Sequence, residues 1–174
     1  MRTGTLTRAA TIVTAIGLVA GCSGTAAREA QGCQESVREA EAKVRVDRWD
    51  PPEELPGLGD YPEIHWQARA LGDPCSRVPG PTDWAYQAVV RLQPQDAREL
   101  AEQYDFAPIT AGDPAQHDQG KTPADVWPDL RSHVPAAPHW LHSRSYDEAP
   151  PATRGRVAFL DVEHETVLLM LNDR

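Results

Sequence analysis

Two segments of the chain alternate apolar and polar residues, and this alternation restricts the possible folds more than any other feature of the sequence. Apolar residues fall mainly on one face of an extended chain in IHWQARA at 64–70 and in WAYQAVVRL at 84–92, whereas polar residues such as Gln67 and Gln87 fall on the other. The pattern predicts two strands of a sheet that has one face open to water.

The C-terminal third contains further segments that favour strands. They are HWLHSRSY at 139–146, RVAFLDV at 156–162 and TVLLMLN at 166–172. The last two are joined only by residues 163–165, and so short a link favours an antiparallel hairpin.

Helical spacing of apolar residues predicts helices between these strands. One helix covers residues 34–45, and a second begins at Pro94, which suits the first position of a helix. Thr122 and Asp125 have the spacing of a capping box at the start of a third helix, which Pro128 limits or splits in two.

These elements predict an α+β domain with a mostly antiparallel sheet of about five strands and two to three helices packed on it. The stretches at 47–63 and 107–122 are rich in proline, glycine and aspartate, and we interpret both as loops. The sequence shows no internal repeat.

The N-terminus has the layout of a secretory signal. Arg2 and Arg8 precede the apolar run AATIVTAIGLVA, which ends at Ala20, and no acidic residue occurs before that point. A membrane-spanning helix needs about 20 apolar residues, so this run is too short to span a bilayer. A buried N-terminal helix is the alternative, and the charge and size pattern disfavours it.

Residues 18–22, LVAGC, resemble the lipobox of bacterial lipoproteins. In that family the cysteine receives a diacylglyceryl group and the chain is cut immediately before it. The resemblance implies a signal peptide at 1–21 and an acylated, palmitate-type N-terminus at Cys22. It also implies an anchor on the outer face of the cytoplasmic membrane, since two acyl chains hold a protein firmly on a bilayer. In overall composition the chain is similar in style to the small lipoproteins of actinomycetes.

The cysteine count agrees with this resemblance. The chain has 3 cysteines, and if Cys22 carries lipid, then Cys33 and Cys75 remain as a pair in an oxidising compartment. We predict that they form a disulfide, because a zinc site usually shows a close C-x-x-C spacing that is missing here. Residues 22–32 are small and polar and predict a flexible tether, followed by a single globular domain at 33–174.

The charge of the chain excludes one class of partner. Without residues 1–21, which hold two arginines and no acid, 15 basic residues would face 26 acidic ones, a net charge of about −11. Nucleic acid is excluded because its recognition needs a basic patch. The predicted partners are membrane lipid, through acylated Cys22, and either an envelope protein or a wall polymer.

Histidines provide a weak candidate for a metal site. His139 and His142 lie near His133, but on a strand the side chains of residues 139 and 142 point to opposite faces. No H-E-x-x-H motif occurs. We therefore predict no metal at this position.

Other catalytic and cofactor signatures are missing from the sequence. Asp113, His117 and Asp118 lie in a loop without the D-x-D-x-D-G order of a calcium site. No G-x-S-x-G, Walker or G-x-G-x-x-G motif occurs either. We predict no cofactor.

Tryptophans are the remaining candidates for contact residues. Trp66 and Trp84 fall on the apolar faces of their strands, which predicts that they belong to the core. Trp49 and Trp127 lie outside the predicted strands and are candidate partner contacts, since aromatic residues are enriched in interfaces.

These features together favour a non-enzymatic binding or accessory protein whose ligand the sequence does not indicate. A cell-envelope hydrolase is one alternative, and it needs two carboxylates, or a base and a nucleophile, converging in one pocket. A small-ligand carrier is the other, and it needs an apolar pocket on a free face of the sheet.

Overall fold

The computed structural model describes residues 23–48, 55–76, 83–109, 120–150 and 155–172. All strand pairs in this part of the chain are antiparallel and form one sheet with the order β1-β2-β6-β5-β4-β3. The strands are β1 Glu63–Ala70, β2 Trp84–Arg91, β3 Ala107–Pro108, β4 Leu141–His142, β5 Gly155–Asp161 and β6 Thr166–Asn172. The α-helices are α1 Ser23–Ala42, α2 Pro94–Gln103 and α3 Arg144–Asp147, and two 3-10 helices span Pro123–Asp125 and Pro128–His133. The predicted α+β class is confirmed.

The central strands β5 and β6 are buried on both faces, because each carries apolar residues at successive positions. A first apolar cluster forms where α2 and α3 pack on one face, with Leu100, Tyr146 and Leu169 among its buried members. A second apolar cluster forms on the other face, where Leu130 packs with Phe159 and other sheet residues. The sheet is therefore the middle layer of the domain.

The second cluster is covered by residues 123–134, which we call the covering segment. It contains both 3-10 helices and places the buried side chains of Val126 and Leu130 against the sheet. The predicted capping box of Thr122 and Asp125 is confirmed, and Pro128 does divide the helical region in two.

The prediction that the sheet has a face open to water is wrong. Gln67 is 0% exposed and Gln87 is 6% exposed, although both belong to the polar side of their strands. The alternation in β1 and β2 marks a face that is polar but covered, because each glutamine amide forms hydrogen bonds with the segments lying over it. The alternation of apolar and polar residues indicates which face of a strand is polar, but in these strands it does not indicate whether that face is exposed to solvent.

The first helix begins much earlier than predicted. Residues 23–32, predicted as a flexible tether, belong to α1, and the helix ends at Ala42 instead of residue 45. The physical reason is that alanine, arginine, glutamate and glutamine, which fill residues 26–31, are strong helix formers even without an apolar face. None of the described helices, α1 included, is long and apolar enough to cross a membrane.

The strand predicted at 139–146 is also wrong for most of its length. Only Leu141–His142 is a strand, and α3 follows directly. Ser143 begins this helix as its N-cap, where its side-chain oxygen accepts a hydrogen bond from the backbone N–H of Tyr146 at 3.1 Å. The helical turn places Tyr146 in the first cluster, where it is fully buried.

Candidate functional site

A disulfide fixes α1 to the turn that follows β1. Cys33 and Cys75 are bonded, with their Cα atoms 5.9 Å apart, which confirms the predicted pair. Cys22, the predicted site of lipidation, lies outside the described residues, and α1 begins at the next residue, Ser23.

An open cavity of about 400 Å³, which we call the edge cavity, lies beside the outer strand β1. It is lined by Val46, Arg48, Tyr61, Pro62, Glu63, Ile64 and His65. Its outer wall stays close to β1 because Arg45 and Trp66 exchange backbone hydrogen bonds of 2.8 and 2.9 Å. This pairing also covers part of the free edge of the sheet, which would otherwise be open to another strand.

Two hydrogen-bonded side-chain pairs lie at the edge cavity. The guanidinium of Arg48 is 2.8 Å from Asp60 and lies over the ring of Tyr61, 5.0 Å from its centroid. The carboxylate of Glu63 is 2.7 Å from the Nε2 of His65, and this hydrogen bond lowers the pKa of Glu63. The lining of the cavity thus contains an aromatic ring, aliphatic side chains, a cationic guanidinium and an anionic carboxylate.

His65 stacks on His133 at the junction between β1 and the covering segment. The ring centroids are 3.5 Å apart and the ring planes differ by 13°. The Nδ1 atom of His65 is buried and has no hydrogen-bond partner among the described residues. Burial, followed by the charge of His65, lowers the pKa of His133 below 6.5.

The structure does not bring His139 and His142 together. His139 precedes β4 and lies 2.9 Å from Glu163, whereas His142 is buried in β4 and lies 2.8 Å from Asp147. The sequence argument placed both histidines on one strand, and this premise is wrong. In the part of the chain that the structure describes, no group of three or more His, Cys, Asp or Glu residues could hold a metal ion.

His142, Asp147 and Ser143 resemble a catalytic triad in composition, but their hydrogen bonds differ from those of a triad. In a triad the histidine links the carboxylate to the serine hydroxyl. Here the hydroxyl of Ser143 donates to the backbone carbonyl of Tyr104, and its oxygen accepts from the N–H of Tyr146. Ser143 is 3% exposed, so its hydroxyl caps a helix inside the domain and does not face a substrate.

Trp127 is half-buried, which differs from the freely exposed position expected of a contact residue. The guanidinium of Arg69 lies 4.2 Å from the centroid of its ring, and the side chain packs against the second cluster. Trp49, the other candidate contact, lies outside the described residues. Trp66 and Trp84 were predicted to lie in the core, but both are only half-buried, and Trp66 packs against the first cluster.

Sequence reasoning missed the role of the two buried glutamines. Gln67 donates to the carbonyls of Glu41 and Ala42, at 3.1 and 3.0 Å, and thereby binds the last turn of α1. Gln87 donates to the carbonyl of Asp125 at 3.0 Å and accepts from the N–H of Trp127 at 2.8 Å. These contacts hold α1 and the covering segment on the sheet. In the sequence, both glutamines are recognisable only as polar residues in clearly alternating strand segments, and this pattern does not show that they are buried.

Asp161 organises the turn between β5 and β6. Its carboxylate accepts hydrogen bonds from the backbone N–H groups of His139, Glu163 and His164, at 2.9, 3.0 and 3.2 Å, and it lies 2.9 Å from the His164 imidazole. Burial tends to raise the pKa of Asp161, but the hydrogen bonds from the His164 side chain and from the backbone outweigh it. The pKa of Asp161 therefore lies below 3.8.

We expect Asp161→Asn to lower the free energy of unfolding at pH 7 by about 2 kcal/mol, because charge-assisted hydrogen bonds are lost. A carboxyl with a lowered folded-state pKa stabilises the fold above its unfolded pKa, and this contribution is lost as the pH falls through the folded value. Urea unfolding of both proteins should therefore show a difference that is full at pH 7 and shrinks below about pH 4. A difference that is constant from pH 7 to pH 3 would contradict this role for the ionised carboxylate.

Comparison with known proteins identifies no relative of this chain. No family model matches it, and no curated protein or solved structure matches it. The function must therefore be argued from the residues and contacts of the chain itself.

Proposed function

We propose that the protein is a lipoprotein anchored through acylated Cys22 on the outer face of the cytoplasmic membrane, where it acts as a binding or accessory protein. One observation carries this proposal. Two of the three cysteines, Cys33 and Cys75, are joined in a disulfide, which is typical of proteins in oxidising compartments. The remaining cysteine is Cys22, the residue that ends the lipobox-like sequence.

The helix α1 supports a particular arrangement of anchor and domain. It begins directly after Cys22, and its residues 28–32 are exposed. The ten residues before Cys33 would extend about 15 Å at the rise of an α-helix. If Cys22 is acylated, this part of α1 holds the domain at a distance from the lipid surface and acts as a spacer stiffer than the predicted flexible tether.

The edge cavity favours binding over hydrolysis. Among the described residues that line it, none is a serine, threonine or cysteine that could act as a nucleophile. The carboxylate of Glu63 already forms a hydrogen bond with the Nε2 of His65, 2.7 Å away. A carrier of apolar ligands is less well supported, because apolar clusters cover both faces of the described sheet.

The anchor is tested by replacing Cys22 with alanine. We expect the wild-type protein to incorporate an alkyne fatty acid and to remain in the membrane fraction, and its intact mass should equal residues 22–174 plus a diacylglyceryl group. Cys22→Ala should abolish the label, because the acceptor thiol is gone, and should leave the signal segment uncut at this site.

Ser23→Ala serves as the matched control, since it alters the neighbouring residue and keeps the thiol. It should be labelled like the wild type. Fatty-acid labelling of Cys22→Ala, or a wild-type mass without the diacylglyceryl group, would refute the anchor.

A further inference from the structure

We propose that the stacked rings of His65 and His133 form a proton-sensitive latch, which fastens the end of the covering segment to β1 when the rings are neutral and weakens as they take up protons. The latch belongs to the folded domain, so it does not depend on the lipid anchor. Its elements are the ring stack, the sealed nitrogen of His65 and the apolar cluster beneath the covering segment.

The close stacking of the two rings disfavours a positive charge on both of them at once. The centroids are 3.5 Å apart with nearly parallel planes, so no water fits between the faces. Two cationic rings at this distance would repel one another with little solvent screening. Neutral rings stack without this repulsion.

One ring nitrogen of His65 has a hydrogen-bond partner and the other is sealed from solvent. Neutral imidazole carries one N–H, and Glu63 can accept it at the Nε2 position, 2.7 Å away. The imidazolium form carries a second N–H at Nδ1, which is sealed from solvent and has no acceptor among the described residues. A buried donor without a partner destabilises the folded state.

The groups around the stack act on the pKa of His133 in opposite directions, and the net result is a lowered pKa. Glu63 on β1 raises the affinity of His133 for a proton, while burial and His65 lower it. Arg91 on β2 acts on Glu63 and favours its ionised form. The second 3-10 helix also carries Asp129, which is bonded to Gln67 at 3.2 Å, and Arg131, which donates to the carbonyl of Val126 at 3.3 Å.

The sign of the pH dependence follows from the lowered pKa of His133. A group whose folded-state pKa is lowered stabilises the fold fully above its unfolded pKa, here about 6.5. This stabilisation is lost as the pH falls below that value toward the folded pKa. The latch is thus closed at neutral pH and weakened in mild acid.

The latch acts on one end of the covering segment. Six residues before His133, the segment is held at Trp127, whose N–H donates to Gln87 at 2.8 Å. Between these points the side chain of Leu130 is fully buried in the second cluster. Opening of the latch would therefore loosen the second 3-10 helix first and give solvent access to Leu130 and the sheet residues below it.

Amide hydrogen exchange on the intact protein at pH 7 and pH 5, corrected for the intrinsic exchange rates, tests the latch. The amide of Leu130, which donates to the carbonyl of Trp127 at 3.0 Å, should lose protection several-fold at pH 5. The upper limit for one histidine of ordinary pKa is about 25-fold over this interval. Amides of the central strand β6 should keep their protection.

His133→Phe retains a flat ring that can stack but cannot be protonated, and it should abolish the pH dependence at Leu130. His139→Asn is the matched control, because it removes a 72% exposed imidazole outside the stack and should preserve the effect. Equal protection of Leu130 at both pH values, an unaltered effect in His133→Phe, or an equal loss throughout β6 would each overturn the latch.

A measurement on the wild type keeps the proposal testable if His133→Phe does not fold. Nuclear magnetic resonance titration should show the His133 ring titrating below pH 6.5, with the Leu130 amide signal moving over the same pH range. A His133 pKa at or above 6.5 would overturn the proposal.

Discussion

Replacing Cys33 and Cys75 together by serine is expected to lower the free energy of unfolding by about 4 kcal/mol, the loop-entropy value for a bridge of this span. The bridge joins residues 42 positions apart in the sequence. Without it the unfolded chain regains the freedom of this loop, while the folded chain loses only one link between α1 and the turn after β1. Denaturant unfolding monitored by circular dichroism measures the change.

The remaining contacts of α1 predict which part of the fold responds first. Gln67 binds its last turn, and Glu41 accepts a hydrogen bond from the N–H of Ala70 at 2.8 Å. These contacts lie at the C-terminal end of the helix, so the region around Cys33 should separate from the sheet first. Ser36→Ala is the control, because it changes an exposed residue of the same helix and leaves the bridge intact. Equal unfolding midpoints for the double variant and this control would contradict the expected contribution.

Asp147→Ala is expected to lower the free energy of unfolding by about 3 kcal/mol, because the buried groups of His142 and Ala158 that are hydrogen-bonded to the carboxylate lose their partner. The side chains of His142 and Asp147 are 4% and 11% exposed, with the Nε2 and Oδ2 atoms 2.8 Å apart. The other carboxylate oxygen accepts from the N–H of Ala158 at 2.9 Å. Alanine removes both acceptors from a largely buried position.

Asp147→Asn is the informative companion to this variant. Burial is the main cause that raises the pKa of Asp147, against the opposing hydrogen bond from His142, so the folded site favours a neutral group more than water does. The asparagine amide is neutral: its oxygen can accept from the N–H of Ala158, and its NH2 group can donate to the Nε2 of His142 in the tautomer that carries its proton on Nδ1. We expect a loss of less than about 1 kcal/mol, because both hydrogen bonds are retained.

Tyr146→Phe provides a control in the same helix. The hydroxyl of Tyr146 is buried without a hydrogen-bond partner among the described residues, so its removal should not destabilise the protein. Thermal and urea unfolding of the three variants should rank Asp147→Ala well below the others. A loss under about 1 kcal/mol for Asp147→Ala would show that the pair contributes little.

Local patterns predicted those parts of the fold in which local preference and tertiary packing agree. The strand predicted at 166–172 matches β6, and the helix predicted to begin at Pro94 matches the start of α2. The predicted hairpin joins β5 to β6. In each case an apolar pattern and a clear boundary residue indicate the same element.

The errors arose where a local signal was overridden or overlooked. HWLHSRSY has the composition of a strand, yet Ser143 caps a helix that buries Tyr146. The serine is a recognisable helix start, but the four residues that follow it, Arg144–Asp147, form a helix too short for periodicity to reveal. Gln67 and Gln87 looked solvent-facing because nothing in the local sequence shows that α1 and the covering segment lie over them.

The candidate sites also include one feature that the sequence predicted and two that it could not. Counting cysteines was enough to predict the bond between Cys33 and Cys75, since only one pair remained once Cys22 was set aside. The stack of His65 on His133 could not be predicted, because it depends on how the covering segment packs on β1. Nor could the edge cavity, whose wall depends on backbone pairing between Arg45 and Trp66.

The position of β6 has a consequence for how the chain reaches its native state. This strand follows all the other described strands in the sequence, yet it lies between β2 and β5, pairing Ala85 with Asn172 and Gly155 with the same residue. Until residues 166–172 have been synthesised, the β1–β2 hairpin and the remainder of the sheet lack the strand that joins them. Such late, long-range pairing gives a high contact order and slow folding. During synthesis from the N-terminus, the sheet therefore remains incomplete until its central strand β6 has been made.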